Sequence, residues 1–173
     1  MPKKLWVLPD RNLLEEAVRR LREREDLEFV VLFGSRARGD WDPSSDYDLL
    51  VGLRGEDGRR WVDRVAELSR GLRGNIDLFP YSRPEWRRLF RERQLLMLDA
   101  LEHGRVLFDR GAFARMRRTF KKWREQGLVS PWMYGWRIEG RGEGKRGEQE
   151  GTGRPASTGL NGLAEIAPEE YGH

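Results

Sequence analysis

Between residues 29 and 53 the chain places two apolar runs around a glycine turn and a pair of acids. Phe29-Val30-Val31-Leu32-Phe33 ends at Gly34-Ser35, ten residues follow, and Asp46-Tyr47-Asp48 opens Leu49-Leu50-Val51. A short continuous apolar run of this kind reads as a buried strand. A glycine and serine at its end suit a turn into a helix whose first N–H groups point outward, an arrangement that favours a phosphate. Asp46 and Asp48 are two apart at the start of the second run. On a strand they project from one face and their carboxylates stand side by side. Two such carboxylates repel unless a cation lies between them, and hard oxygen donors suit Mg²⁺, with Mn²⁺ as the alternative. A phosphate cradle facing a Mg²⁺ site implies nucleotide chemistry. Taken singly, the Gly-Ser turn reads as a helix cap and the acid pair as a solvated loop. Their joint spacing, with a further acid at Asp77, carries the functional reading.

The surrounding pattern predicts helices over 12–24, where Leu13, Leu14, Ala17, Val18 and Leu21 recur at helical spacing, and over 60–72. Asp10 is the expected cap of the first helix. Strands are expected at 28–33, 48–53 and 76–81, and an edge strand at 105–109. Further helices are expected from Ser35, over 84–91 with Pro84 in the first turn, and over 94–101, closed by His103-Gly104. This alternation of helix and strand implies a small sheet covered by helices, an α/β (α+β) fold.

Composition bounds the rest. Cysteine is absent, which excludes disulfides and thiolate metal sites. No stretch reaches the length of a membrane span, and the apolar run near the N-terminus is too short for a signal peptide, so a soluble cytoplasmic protein with no membrane partner is expected. The net charge is +4, and between Arg110 and Gln126 seven basic residues face Glu125 alone. Phe113, Met116, Phe120 and Trp123 form an apolar stripe in the same segment. Such a stripe either packs on the domain or offers a docking face with Trp132, Tyr134 and Trp136. From Gly140 onward, glycine and charged residues dominate and disorder is expected. The expected organisation is a domain over 1–110, a basic, aromatic helical extension over 111–136, and a tail over 137–173.

At Gly34, Ser35, Asp46 and Asp48 the chain resembles the minimal nucleotidyltransferases of the DNA polymerase β-like superfamily, whose signature is Gly-Ser, a ten-residue spacer and Asp-x-Asp. Arg36-Ala37-Arg38-Gly39-Asp40 and Ser44-Ser45 also resemble that signature, and Asp77 in Asn75-Ile76-Asp77-Leu78-Phe79 matches its third carboxylate. The resemblance spans roughly residues 11 to 110. It implies a mixed sheet with the acids at one edge. It also implies nucleotidyl transfer assisted by two Mg²⁺ ions at Asp46, Asp48 and Asp77, with Gly34 and Ser35 on the phosphates of a nucleoside triphosphate, most simply ATP. Arg36 and Arg38 either reach the triphosphate or are solvated charges on the first helical turn. Many minimal members are antitoxins that modify a tyrosine on a HEPN-type toxin. The alternatives are neutralisation of the toxin by contact and modification of a small, aminoglycoside-like molecule. Nucleic acid is not expected as the primary partner.

Overall fold

In the computed structural model, described over residues 10–133 and 135–140, strand β1 (Leu27–Phe33) occupies the interior of a four-stranded sheet. All seven of its residues are buried, Glu28 included, because it is paired on both edges and covered on both faces. The remaining strands are β2 (Tyr47–Leu53), β3 (Ile76–Tyr81) and β4 (Arg105–Asp109), in the order β3-β2-β1-β4. β1 runs antiparallel to β2 and β4, and β2 runs parallel to β3, so the sheet is mixed. The parallel pair is joined by helix α3 (Trp61–Ser69), the crossover that a parallel connection requires.

The chain divides into two units, Met1–Thr119 and Phe120–His173. In the first, one face of the sheet presents Val30, Leu32, Leu49, Val51 and Leu78 to Leu14 and Leu21 of α1 (Arg11–Arg22) and Leu68 of α3. On the other face, the Phe29 ring lies 5.6 Å from Trp86 of α4 (Arg83–Arg91) and 5.4 Å from Phe113 of α6 (Ala112–Glu125). Phe29 is paired with Gly52 across β1 and β2, and a Cβ at Gly52 would enter its ring. The glycine in this apolar strand therefore makes room for an aromatic neighbour. Truncating so enclosed a ring costs about 3–5 kcal/mol in comparable cores.

Local chemistry sets the element ends. Ser82 and Glu85 form a capping box at the start of α4, where Pro84 lies in the first turn as expected. The Glu85 carboxylate also takes the buried Arg64 guanidinium of α3 through both oxygens, at 2.5 and 2.6 Å, tying α3 to α4. The Asp109 carboxylate accepts the backbone N–H groups of Gly111, Phe113 and Ala114 at 2.8–3.1 Å and caps α6. Asp10 departs from expectation. It lies in the left-handed region at φ 55 with no side-chain cap bond, and its carbonyl rather than its carboxylate accepts the N–H groups of Leu13 and Leu14.

The extension is helical only to Glu125. Beyond it, β5 (Val129–Trp132) and β6 (Gly135–Ile138) form an antiparallel hairpin that the helical expectation for 111–136 missed. Phe113, Met116 and Phe120 are buried, so three of the four stripe residues are packed within the chain rather than offered for docking. In the second unit, Phe120 meets Trp136 edge-on at 5.6 Å. Trp132 and Met133 at the hairpin turn are 56% and 79% exposed. Tyr134 and the tail from residue 141 lie outside the described residues. Among the described residues, no helix is long and apolar enough to cross a membrane.

Candidate active site

Strand register assembles the site. Phe33 at the end of β1 is paired with Asp48, and Asp48 is paired with Asp77 across the parallel β2–β3 ladder. Paired residues on neighbouring strands share a face, so both acids emerge from one face at one end of the sheet. Asp46 lies just before the first residue of β2, not within the strand. Its charge still reaches both other acids, raising the carboxyls of Asp48 and Asp77. The three acids expected from the sequence are thus brought within electrostatic range of one another.

Their environments differ. Burial first, then the charges of Asp77 and Asp46, push the Asp48 carboxyl up to about 7. Arg38 acts in the opposite direction, and Asp99 adds to the rise. Asp77 is exposed, yet its carboxyl is also held above the usual range, first by partial desolvation and then by Asp46.

Gly34 closes the site from β1. At φ 70 it turns the chain from the extended Phe33 into the five-residue helix α2 (Gly34–Arg38). A Cβ at this position would collide with Asp48 Oδ2. The glycine is therefore required twice, by its left-handed backbone and by the carboxylate packed against it. Ser35 follows at the first turn of α2 and is partly exposed.

The two arginines divide. Arg36 is 3% exposed. Its Nε and Nη2 donate to the Ser45 carbonyl at 3.1 and 2.6 Å, and its guanidinium stacks on Trp41 at 4.5 Å and Tyr47 at 4.7 Å. The group holds the spacer that delivers Asp46 and is not a solvated charge, while its buried Nη1 has no hydrogen-bond partner among the described residues. That spacer is itself a hydrogen-bonded turn around Asp42, whose carboxylate accepts the Ser44 N–H at 2.8 Å and whose own N–H donates to Ser45 Oγ at 3.0 Å. Arg38 is partly exposed and acts on Asp48 through its charge. Its Nη1 donates to both oxygens of Asp99, at 3.2 and 3.4 Å. Asp99 lies on α5 (Leu95–His103), which packs against α2.

Sequence reasoning missed Asp99. Its signal was an acid within Leu95-Leu96-Met97-Leu98-Asp99-Ala100-Leu101, a helix in which Leu96, Met97, Leu98, Ala100 and Leu101 are all buried.

A family model for the polymerase beta nucleotidyltransferase domain matches residues 15–111. The chain belongs to the polymerase beta nucleotidyltransferase family. The matched stretch contains every residue of the acidic row and ends one residue before α6. Several solved structures resemble this nucleotidyltransferase. A candidate nucleotidyltransferase of Sulfolobus solfataricus is 29% identical with a TM-score of 0.44, covering 58% of this chain and 81% of its own. A toxin–antitoxin structure with AMP-PNP is 18% identical with a TM-score of 0.44, covering 69% and 90%. A complex of the tri-AMPylated Shewanella oneidensis HEPN toxin with its MNT antitoxin is 16% identical with a TM-score of 0.38, covering 68% and 85%. No curated protein matches.

Membership implies a nucleotide substrate and a divalent cation for this nucleotidyltransferase. Among the described residues, no three His, Asp or Glu side chains stand close enough together to hold a metal ion, so the acids share a face rather than a formed cage. The donor chemistry nevertheless fits. All three are hard oxygen donors, and Asp48 carries an ionisation cost, from burial and from like charges, that a cation would offset.

Proposed function

We propose that this nucleotidyltransferase moves a nucleoside monophosphate, AMP from ATP, onto a hydroxyl of another protein, a tyrosine on a HEPN-type partner, and so serves as an antitoxin. The observation that carries the transfer chemistry is the row Phe33, Asp48 and Asp77 with the Gly34 turn closed over Asp48. In the reaction an acceptor oxygen bonds the α-phosphorus, the bond from that phosphorus to the bridging oxygen breaks, and pyrophosphate leaves. The acceptor proton passes to a carboxylate or to water.

Asp46, Asp48 and Asp77 would hold the divalent cation, Mg²⁺ in two ions on this reading, which when bound offsets the charge of the phosphates. Asp77, exposed and with a carboxyl that takes a proton more readily than an ordinary aspartate, is the carboxylate suited to take the acceptor's proton. Gly34 and Ser35 offer a backbone and a hydroxyl donor to the departing phosphates, and Arg38 supplies positive charge. Positioning and charge compensation then provide most of the acceleration. The protein acceptor rests on the resemblance of Gly34, Ser35, Asp46 and Asp48 to the minimal nucleotidyltransferase signature.

Incubation with labelled ATP, Mg²⁺ and the protein encoded beside this one tests the reading. The neighbour should become labelled, and Asp46→Asn should abolish the label. Transfer that survived Asp46→Asn would remove the acidic site from the reaction. Labelling of a small molecule, with no complex between the two proteins, would leave the transferase chemistry standing and remove the partner.

A further inference from the structure

Three nitrogens of Arg38 are disposed unequally. Nη1 is forked onto both carboxylate oxygens of Asp99, Nε points to Asp40 at 3.4 Å, and Nη2 has no hydrogen-bond partner among the described residues. Asp99 is partly buried, with a side chain 25% exposed, on a helix whose other residues are mostly core. An acid in that setting that bonds one arginine on a neighbouring element fixes the arginine's direction. Both groups lie within electrostatic reach of Asp48. The guanidinium is therefore held through Nη1 by the part-buried Asp99 and, more loosely, through Nε by the exposed Asp40, with Nη2 left as a free donor.

We propose that Asp99 is a positioning residue for nucleotide: it holds Arg38 so that Nη2 stands ready for a phosphate oxygen of a nucleoside triphosphate. The inference rests on the transferase reading above and assigns to α5, outside the Gly-Ser and Asp-x-Asp signature, a part in binding the substrate. Without the fork, Arg38 keeps its charge but samples many rotamers, and the ordering cost falls on each binding event. The carboxylate of Asp99 touches neither substrate nor reacting atoms and acts only through Arg38.

The test is calorimetric titration of the full chain, in Mg²⁺, with ATP, with inorganic triphosphate and with adenosine. Asp99→Asn should weaken ATP and inorganic triphosphate together, by about 5- to 30-fold, and leave adenosine unchanged. Asp99→Glu should recover part of the loss. In an Arg38→Ala background, Asp99→Asn should add no further loss, an outcome that a merely structural role for Asp99 would not give. Thermal melting of each variant reports folding separately. Equal ATP affinity in wild type and Asp99→Asn would overturn the inference while leaving the transferase reading intact. So would a loss in Asp99→Asn that persists undiminished in the Arg38→Ala background. A wild-type protein that bound neither ATP nor inorganic triphosphate would overturn both.

Discussion

Gly34 lies so close to the Asp48 carboxylate that a single added methyl group would collide with Oδ2. The same glycine sits at φ 70, where a side chain is strained regardless of its neighbours. Two costs therefore coincide at Gly34→Ala, and we expect a loss of about 1–3 kcal/mol in urea unfolding together with a fall in transfer. The two costs separate in a double-mutant cycle. Asp48→Ala removes the colliding oxygen and should recover part of the Gly34→Ala penalty, leaving the backbone strain. Strict additivity would show that the carboxylate plays no part.

Asp48 also makes stability depend on pH. Its carboxyl titrates at about 7 in the folded chain and near 4 when unfolded, so between those values the folded state binds a proton that the unfolded state does not. The contribution is fully present below about pH 4 and is lost as pH rises through about 7. Its size is roughly 2–4 kcal/mol. The quantity to measure is the difference between wild type and Asp48→Asn in metal-free buffer, in which contributions common to both cancel. Asp48→Asn should become the more stable of the two as pH rises from 5 to 8. Added Mg²⁺ should raise the wild-type melting temperature more at pH 8 than at pH 5.5, because it favours the ionised carboxylate. An unchanged difference across that range would refute the assignment.

Much of this arrangement was legible in the chain because it is written locally. β3 and β4 occupy the expected residues, since Ile76–Tyr81 and Arg105–Asp109 are short runs bounded by turn residues. Asp46 and Asp48 are expected from their spacing and Asp77 from its match to the third carboxylate of the signature, and strand register pairs the last two. What escaped depends on contacts remote in sequence. Asp99 meets Arg38 across 61 positions, and nothing beside Asp99 in the chain announces its partner. The β5–β6 hairpin has strands of only four residues, one of them carrying Pro131, too short for an alternating pattern to emerge. For Arg36 the sequence left two outcomes open, and packing between Trp41 and Tyr47 turned the guanidinium inward.

Arg36 accordingly offers a prediction about the spacer. Removing it frees the Ser45 carbonyl and opens the space between two rings, and Arg36→Ala should cost about 2–3 kcal/mol. Arg36→Lys should rescue little, because an ammonium cannot reproduce two donors to one carbonyl while stacking flat. If the guanidinium serves the loop, limited proteolysis should show faster cleavage between residues 39 and 46 in Arg36→Ala. A variant that lost ATP affinity with the spacer still protected would restore the phosphate role.

Arg117 belongs to the basic run at 110–126, yet its guanidinium is half-buried and points inward. Nε donates to the Leu101 carbonyl at 3.0 Å, and Nη2 donates to Gly104 at 2.7 Å and to Ala100 at 3.3 Å. The Ala100 carbonyl already accepts the Gly104 N–H, so Arg117 adds a second donor there and serves the Leu101 and Gly104 carbonyls at the end of α5 from α6. Its aliphatic and cationic faces also cover the Phe113 ring at 5.0 Å. Arg117→Glu would set a carboxylate against three carbonyl oxygens and should cost about 2–4 kcal/mol, seen as a lower urea midpoint with unchanged slope. Arg118→Glu, at an exposed position one residue on, should shift stability by less than about 0.5 kcal/mol. Because α5 carries Asp99, fraying of its last turn should also loosen the Arg38 fork and lower ATP affinity in the folded fraction of Arg117→Glu. Equal stability of the two variants would show that the α5 end is satisfied without Arg117.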